Sequence, residues 1–246
     1  MRRLYSYLIW ALIGLLAVLW LPILTVIFIV TAPFDPGRYA AGRWFRRSAV
    51  AAVKLIPVWD FRTEGVVIGD PRRPYVAVAN HESFADIFLI SHLPWEMKWL
   101  SKEGIFRIPV MGWMMSMAGD IRVRRGDRDS RAGALDEIHD RLDKGVTVMI
   151  LPEGTRSPDG HLQRFRNGAF KVAIERQLPV LPIAVAGTGN AMAKHSGVFN
   201  PARAIARVLE PEPTEGLTLA DVPKLRDRVR DRIAAARDEL RVRLDG

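Results

Sequence analysis

The segment Asn80-His81-Glu82-Ser83-Phe84-Ala85-Asp86 puts a histidine and a carboxylate five residues apart, directly after the apolar run 75–79. Near neutral pH an imidazole can take a proton from a hydroxyl. A carboxylate on its other ring nitrogen fixes the tautomer and steadies the imidazolium. The pair has the logic of a serine-protease dyad without its serine. With five histidines in 246 residues the spacing alone is weak, and a turn histidine satisfied by backbone is the alternative. The strand-to-helix corner weighs for catalysis, because active sites of α/β sheets gather at the carboxyl ends of strands.

A second constellation, Leu151-Pro152-Glu153-Gly154-Thr155-Arg156-Ser157, also follows an apolar run. Gly154 lets backbone approach a ligand, Thr155 and Ser157 supply hydroxyls, and Arg156 has the fork geometry that grips a phosphate at two points. Glu153 would orient Arg156 or a neighbouring base. An ordinary turn with solvated charges is the competing reading. The basic stretch His161, Arg164, Phe165, Arg166 and Lys171 would contact donor phosphates or form a solvated loop.

Composition narrows the chemistry further. The absence of cysteine removes thiolate nucleophiles, disulfides and Cys-based metal sites. No His/Asp/Glu cluster has metal-ligand spacing, so no metal is expected. His92, His139 and His195 have no motif around them and are assigned nothing. A net charge of +9 predicts attraction to polyanions: nucleic acid, an anionic bilayer surface or phosphorylated small molecules.

These residues need a scaffold, and after Pro57 short apolar runs alternate with helical patterns, as in an α/β fold. Strands are expected at 61–68, 75–79, 97–100, 120–123, 147–151, 180–185 and 204–209. Helices are expected at 85–92, 112–118, 131–144 and 170–176, the third capped by Ser130 and ended by Gly145. A last helix over 218–244 has Thr218 and Asp221 as a capping pair. Leu219, Val222, Leu225, Val229, Ile233, Leu240 and Leu244 form its apolar stripe, with its arginines outward.

The one composition shift lies near residue 33. Residues 4–32 hold no formal charge, 29 in succession, enough for a membrane helix. A secretory signal, the alternative, has a shorter apolar region. Pro22 interrupts the run and predicts either one kinked span or two helices folded as a hairpin in one leaflet, with the hairpin preferred. Arg38, Arg43, Arg46, Arg47 and Lys54 follow, against Arg2 and Arg3 before, which puts the main domain on the cytoplasmic face of the cell membrane. Tyr39, Trp44 and Phe45 among those arginines suit a headgroup-level helix, and a solvated basic helix packed on the domain is the alternative. The expected organisation is an anchor and basic interfacial helix over 1–56 and a catalytic domain over 57–246.

NHESFAD, then Lys102-Glu103 with Gly119 and Arg125, then LPEGTRS, then Pro179-Val180-Leu181-Pro182-Ile183, resembles the four ordered motifs of the glycerolipid acyltransferase family. The resemblance covers about residues 57 to 190. It implies a glycerol-3-phosphate acyltransferase-like domain, with a central mixed sheet flanked by helices. It also implies direct attack: His81, held by Asp86, deprotonates an acceptor hydroxyl that attacks a thioester carbonyl, with no covalent enzyme intermediate. Lys102, Arg125, Glu153, Gly154, Thr155 and Arg156 would bind the phosphate of a lysophospholipid acceptor. Acyl-CoA or acyl carrier protein would be the co-substrate, with no cofactor. In this sequence Arg122, Arg124 and Arg125 crowd one strand end, and the third motif opens with Leu151 where the family usually has Phe.

The acceptor favoured by the resemblance is 1-acylglycerol 3-phosphate; another lysolipid, such as a lyso-ornithine lipid, is the alternative. A basic membrane protein that binds nucleic acid would also explain the charge. It is disfavoured because no groove-reading motif appears and the last helix interleaves its arginines with Asp227, Asp231 and Asp238.

Overall fold

The computed structural model describes residues 2–124, 126–156, 161–193 and 196–246. In chain order the elements are α1 (Arg2–Thr31), α2 (Tyr39–Lys54), β1 (Trp59–Gly65), β2 (Val76–Ala79), α3 (Asp86–Ile90), β3 (Met97–Lys102), α4 (Glu103–Phe106), α5 (Met111–Ala118) and β4 (Ile121–Val123). They continue as α6 (Arg128–Asp143), β5 (Thr147–Ile150), α7 (Gly168–Glu175), β6 (Val180–Ala186), α8 (Thr188–Ala191), β7 (Ala202–Val208) and α9 (Val222–Asp245).

The seven strands form one mixed sheet in the order β1-β7-β6-β2-β5-β3-β4, with only β6 and β7 antiparallel. Each expected strand is present. β1 is displaced toward the N-terminus because its register with β7 runs from Trp59↔Ala202 to Gly65↔Val208. There Gly65, at φ 97°, turns the chain away. The central strands β2, β5 and β6 are buried on both faces, which explains their unbroken apolar sequences.

Alternation along the strands divides the core. Val76, Val78, Val148 and Ile150 face α6, α7 and α9, whereas Ala77, Ala79, Met97 and Trp99 pack with Leu89 and Ile90 of α3. Beyond that second layer α1 and α2 cover Trp59, Phe88 and Phe199, and farther along they meet Met114 and Met115 of α5.

Three expectations are corrected by the packing. α1 runs unbroken through Pro22, so no hairpin forms there. Trp20 Nε1 donates to Trp44 O at 3.1 Å just before the proline, and Leu24 just after it is fully buried against α2 and α5. The docked face thus holds the helix together across the missing N–H. The cap of α6 is Asp127, whose Oδ1 accepts from Ser130 N at 2.9 Å; Ser130 lies inside the helix and its hydroxyl accepts from Arg124 N. The Thr218–Asp221 capping box is present before α9, but not all of that helix's arginines face outward. Arg226 and Arg237 are buried, the first paired with Asp227 and Asn167 and the second with Glu82.

A buried ionic group fixes α2 to the sheet. Lys98 Nζ lies 3.0 Å from Glu96 Oε1 and donates to Arg38 O at 2.8 Å, while Arg46 pairs with Asp120. Burial pushes the Glu96 carboxyl up and the Lys98 amine down from their ordinary values, and each partner's charge opposes that drift.

Candidate active site

β6, β2, β5, β3 and β4 are all parallel, so their carboxyl ends share one edge of the sheet. At that edge Asn80 anchors the loop after β2. Its Nδ2 donates to Val185 O at 2.9 Å and its Oδ1 accepts from Val185 N at 2.8 Å. Both bonds are buried, so the loop leaves β2 in a fixed direction.

Asp86 opens α3 and is fully buried. Its Oδ2 accepts from Glu82 N at 2.9 Å and Ser83 N at 3.2 Å, and lies 2.7 Å from His81 Nδ1. The other carboxylate oxygen, Oδ1, accepts from the Thr188 hydroxyl. Four donors converge on one buried carboxylate, so both of its oxygens are hydrogen-bonded inside the protein. With Nδ1–H committed to Asp86, the neutral ring leaves Nε2 as the acceptor. Among the described residues that nitrogen has no hydrogen-bond partner, and the side chain is 16% exposed. The imidazole can therefore take a proton from the open edge.

Glu153 holds the same loop from the neighbouring strand. Its Oε1 accepts from His81 N at 2.7 Å and its Oε2 from Gln163 N at 3.1 Å. The sequence reading had this carboxylate orient Arg156 or a neighbouring base; the observed contact is with the base, through the backbone N–H of His81. Burial pushes its carboxyl up from the ordinary range, opposed by the two N–H donors. Gly154 follows at φ 73°, and the Arg166 guanidinium packs so closely that a β-carbon there would lie 2.8 Å from Cζ. Thr155 and Arg156 are half-buried beside it.

The remaining cations lie two and three strands from β2. Lys102 is exposed at the end of β3, about 10 Å from β2 by strand spacing. Arg122 on β4 lays its guanidinium over the Phe106 ring at 5.2 Å and makes no ion pair among the described residues. Arg124 is committed to Glu103 at 2.8 Å and to Asp127 at 3.2 Å. Arg125 lies outside the described residues. Gly119, quoted with this motif, ends α5 in the left-handed region at φ 77°.

Thr188 and Glu82 are the contributors to which sequence reasoning gave no role; Arg166, expected to contact donor phosphates or to lie in a solvated loop, packs against Gly154. Thr188 sits 102 positions from Asp86. Only the adjacency of β6 and β2 brings them together, and a strand order would have been needed to find it.

The sequence model of the family described as Acyltransferase matches residues 62–186, just over half of the 246. A chloroplastic 1-acyl-sn-glycerol-3-phosphate acyltransferase of Arabidopsis thaliana is 37% identical over 226 residues, covering 87% of this chain and 60% of the relative. The human 1-acyl-sn-glycerol-3-phosphate acyltransferase alpha is 35% identical over 162 residues, 65% of this chain and 57% of that protein. The chain thus spans somewhat more than half the length of these relatives. The crystal structure of the 1-acyl-sn-glycerophosphate acyltransferase from Thermotoga maritima has the same fold, with a TM-score of 0.76 over 96% of this chain and 98% of that one at 22% identity. With the family's sequence model matched across just over half of its length, this chain belongs to the Acyltransferase family.

Proposed function

We propose that this protein transfers a fatty acyl group from acyl-CoA or acyl carrier protein to the sn-2 hydroxyl of 1-acylglycerol 3-phosphate, giving phosphatidic acid for phospholipid synthesis. The observation that carries the reading is the 2.7 Å contact between His81 Nδ1 and Asp86, with Nε2 left open at the sheet edge where β5 and β3 deliver their cations. Both the Arabidopsis and the human relative are 1-acyl-sn-glycerol-3-phosphate acyltransferases by name, which supports the acceptor.

In the proposed reaction His81 Nε2 removes the acceptor hydroxyl proton as that oxygen attacks the thioester carbonyl. The tetrahedral intermediate collapses with loss of the thiolate, and the imidazolium returns the proton to sulfur. Asp86 offsets the imidazolium charge throughout. No enzyme nucleophile is required. Arg156, Thr155 and the Gly154 backbone, with Lys102 and Arg122, would hold the acceptor phosphate; Arg124 is the poorer choice because its charge is already met by Glu103 and Asp127.

We also propose that α1 lies in one leaflet of the cell membrane, with the catalytic domain on its cytoplasmic face. α1 is long and apolar enough to cross a bilayer. However, it is docked on the domain from Tyr5 to Phe28, about 35 Å of helix. Its opposite face is an unbroken exposed stripe that includes Leu4, Leu8, Leu15, Leu19, Ile23 and Ile29. A helix bound along its length can bury that stripe only by lying flat. α2 then sits at headgroup level, where Arg43, Arg47 and Lys54 line a cleft of about 380 Å³ with Trp20 and Trp95.

The experiment is acyl transfer by purified protein in detergent, pairing acyl-CoA and acyl carrier protein donors with lysophosphatidic acid and with phosphate-free lysolipids. Preference for the phosphate-bearing acceptor supports the reading. Turnover of phosphate-free acceptors alone would reassign the pocket.

A further inference from the structure

Glu82, the residue after the catalytic histidine, has no role in the mechanism above, yet its side chain is only 7% exposed. Its Oε1 accepts from Arg237 Nε at 3.1 Å and from Arg241 Nη2 at 2.9 Å, both on α9. Its Oε2 accepts from Gly187 N at 3.1 Å and Gly189 N at 3.4 Å, in the turn formed by Gly187 after β6 and the first residues of α8. That turn carries Thr188, whose hydroxyl donates to Asp86 Oδ1. Glu82's own N–H donates to Asp86 Oδ2.

We propose that Glu82, held by Arg237 and Arg241, is a positioning residue that sets the Gly187-Thr188-Gly189 turn against Asp86. The C-terminal helix thereby becomes part of the support of the catalytic pair. The inference rests on the reading of His81 and Asp86 as that pair.

The turn has little freedom of its own. Gly187 sits at φ 91°, and a β-carbon there would lie 2.1 Å from Arg203 O, so its backbone is pressed against β7. The side of the turn facing the catalytic loop meets the Glu82 carboxylate, which takes two of its N–H groups. A buried carboxylate is stable there only with its charge met, and Arg237, itself 6% exposed, and Arg241 meet it. The two arginines are four residues apart, so they project from one face of α9. α9 lies outside the stretch matched by the family's sequence model. The arrangement therefore assigns a positioning duty to a helix that the motifs do not include.

The test is a double-mutant cycle in the full chain, measuring kcat and KM in detergent for wild type, Glu82→Gln, Thr188→Val and the double variant, with His81→Ala as control. Glu82→Gln is expected to lower kcat about 10–100-fold, as a sub-ångström to ångström displacement of a catalytic group does, with both KM values changed by less than about threefold. If Glu82 acts through Thr188, the double variant is no slower than the slower single one. A full kcat with Glu82→Gln, a loss expressed only in KM, or multiplicative losses would overturn the proposal. Should Glu82→Gln fail to fold, Arg241→Gln removes one ion pair from a 38% exposed side chain; it must lower kcat in the same sense, and an unchanged kcat overturns the proposal. Turnover retained by His81→Ala would sink the catalytic reading itself, whereas a dead His81→Ala beside a fully active Glu82→Gln sinks only the role of Glu82.

Discussion

Replacing Asp86 by Asn isolates what the carboxylate charge does, because the hydrogen-bond pattern dictates how the amide must sit. Three donors face Oδ2: His81 Nδ1, Glu82 N and Ser83 N. None of the three can accept in the neutral, Nδ1-protonated state, so the amide oxygen must take that place. The amide NH2 then points at Thr188, whose hydroxyl is the one partner able to turn from donor to acceptor. Ring tautomer and orientation are thus retained, and only the ionic strengthening of the bonds is lost. A hydrogen bond to a charged group contributes about 1.5–3 kcal/mol, so kcat should fall about 10- to 150-fold. The assay is thiol release from an acyl thioester at a pH where the imidazole is neutral, with KM measured for both substrates. A loss near 10⁴-fold, as when an amide imposes the wrong tautomer, would refute the argument that Thr188 fixes the amide orientation. An unchanged kcat would refute the role of the charge.

Three further outcomes are expected. Arg156→Ala should raise KM for a phosphate-bearing acceptor by about tenfold or more and leave phosphate-free acceptors unaffected; equal effects on both would remove Arg156 from the phosphate pocket. Gly154→Ala should lower the thermal midpoint by about 2–4 °C in detergent, since alanine is strained at φ 73° while the Arg166 side chain can move aside. No shift would mean the loop relaxes freely. The hydrogen bond from Arg124, reinforced by the charges of Arg124 and Arg107, holds the Glu103 carboxyl at about 2, below its ordinary 4.5. Its folded value is depressed, so its stabilising contribution is complete above pH 4.5 and is lost as pH falls toward 2. Glu103→Gln should therefore flatten the thermal midpoint against pH in that window, by a small amount because the pair is exposed to solvent; parallel curves for the two proteins would contradict this.

The sheet and the contact between His81 and Asp86 were legible in the sequence because both rest on local patterns. The run 147–151 is continuous and apolar because β5 is buried on both faces, and His81 and Asp86 meet across one loop and the first turn of α3. What stayed hidden depends on partners far away in sequence. Thr188 reaches Asp86 across 102 residues, and Arg237 reaches Glu82 across 155. Arginine on an amphipathic helix ordinarily faces water, and Arg226 and Arg237 are buried only because carboxylates and an amide meet them there. Pro22 likewise reads as a break, until the packing of Trp20 and Leu24 on the domain is known. The candidate phosphate-binding residues were named from residue types and resemblance; among Arg122, Arg124 and Arg125, the commitment of Arg124 to Glu103 depends on a contact no local pattern shows, and Arg125 lies outside the described residues.

The central claim is that the His81 imidazole deprotonates the acceptor, and single-turnover acyl transfer by His81→Ala in detergent, with its thermal midpoint measured in parallel, tests it most directly. Asp86 keeps three of its four donors in that variant, so the fold should persist. Acyl transfer should fall by at least about 10²–10⁴-fold, the contribution of a positioned general base. A folded His81→Ala protein that transfers acyl groups at the wild-type rate would contradict the account.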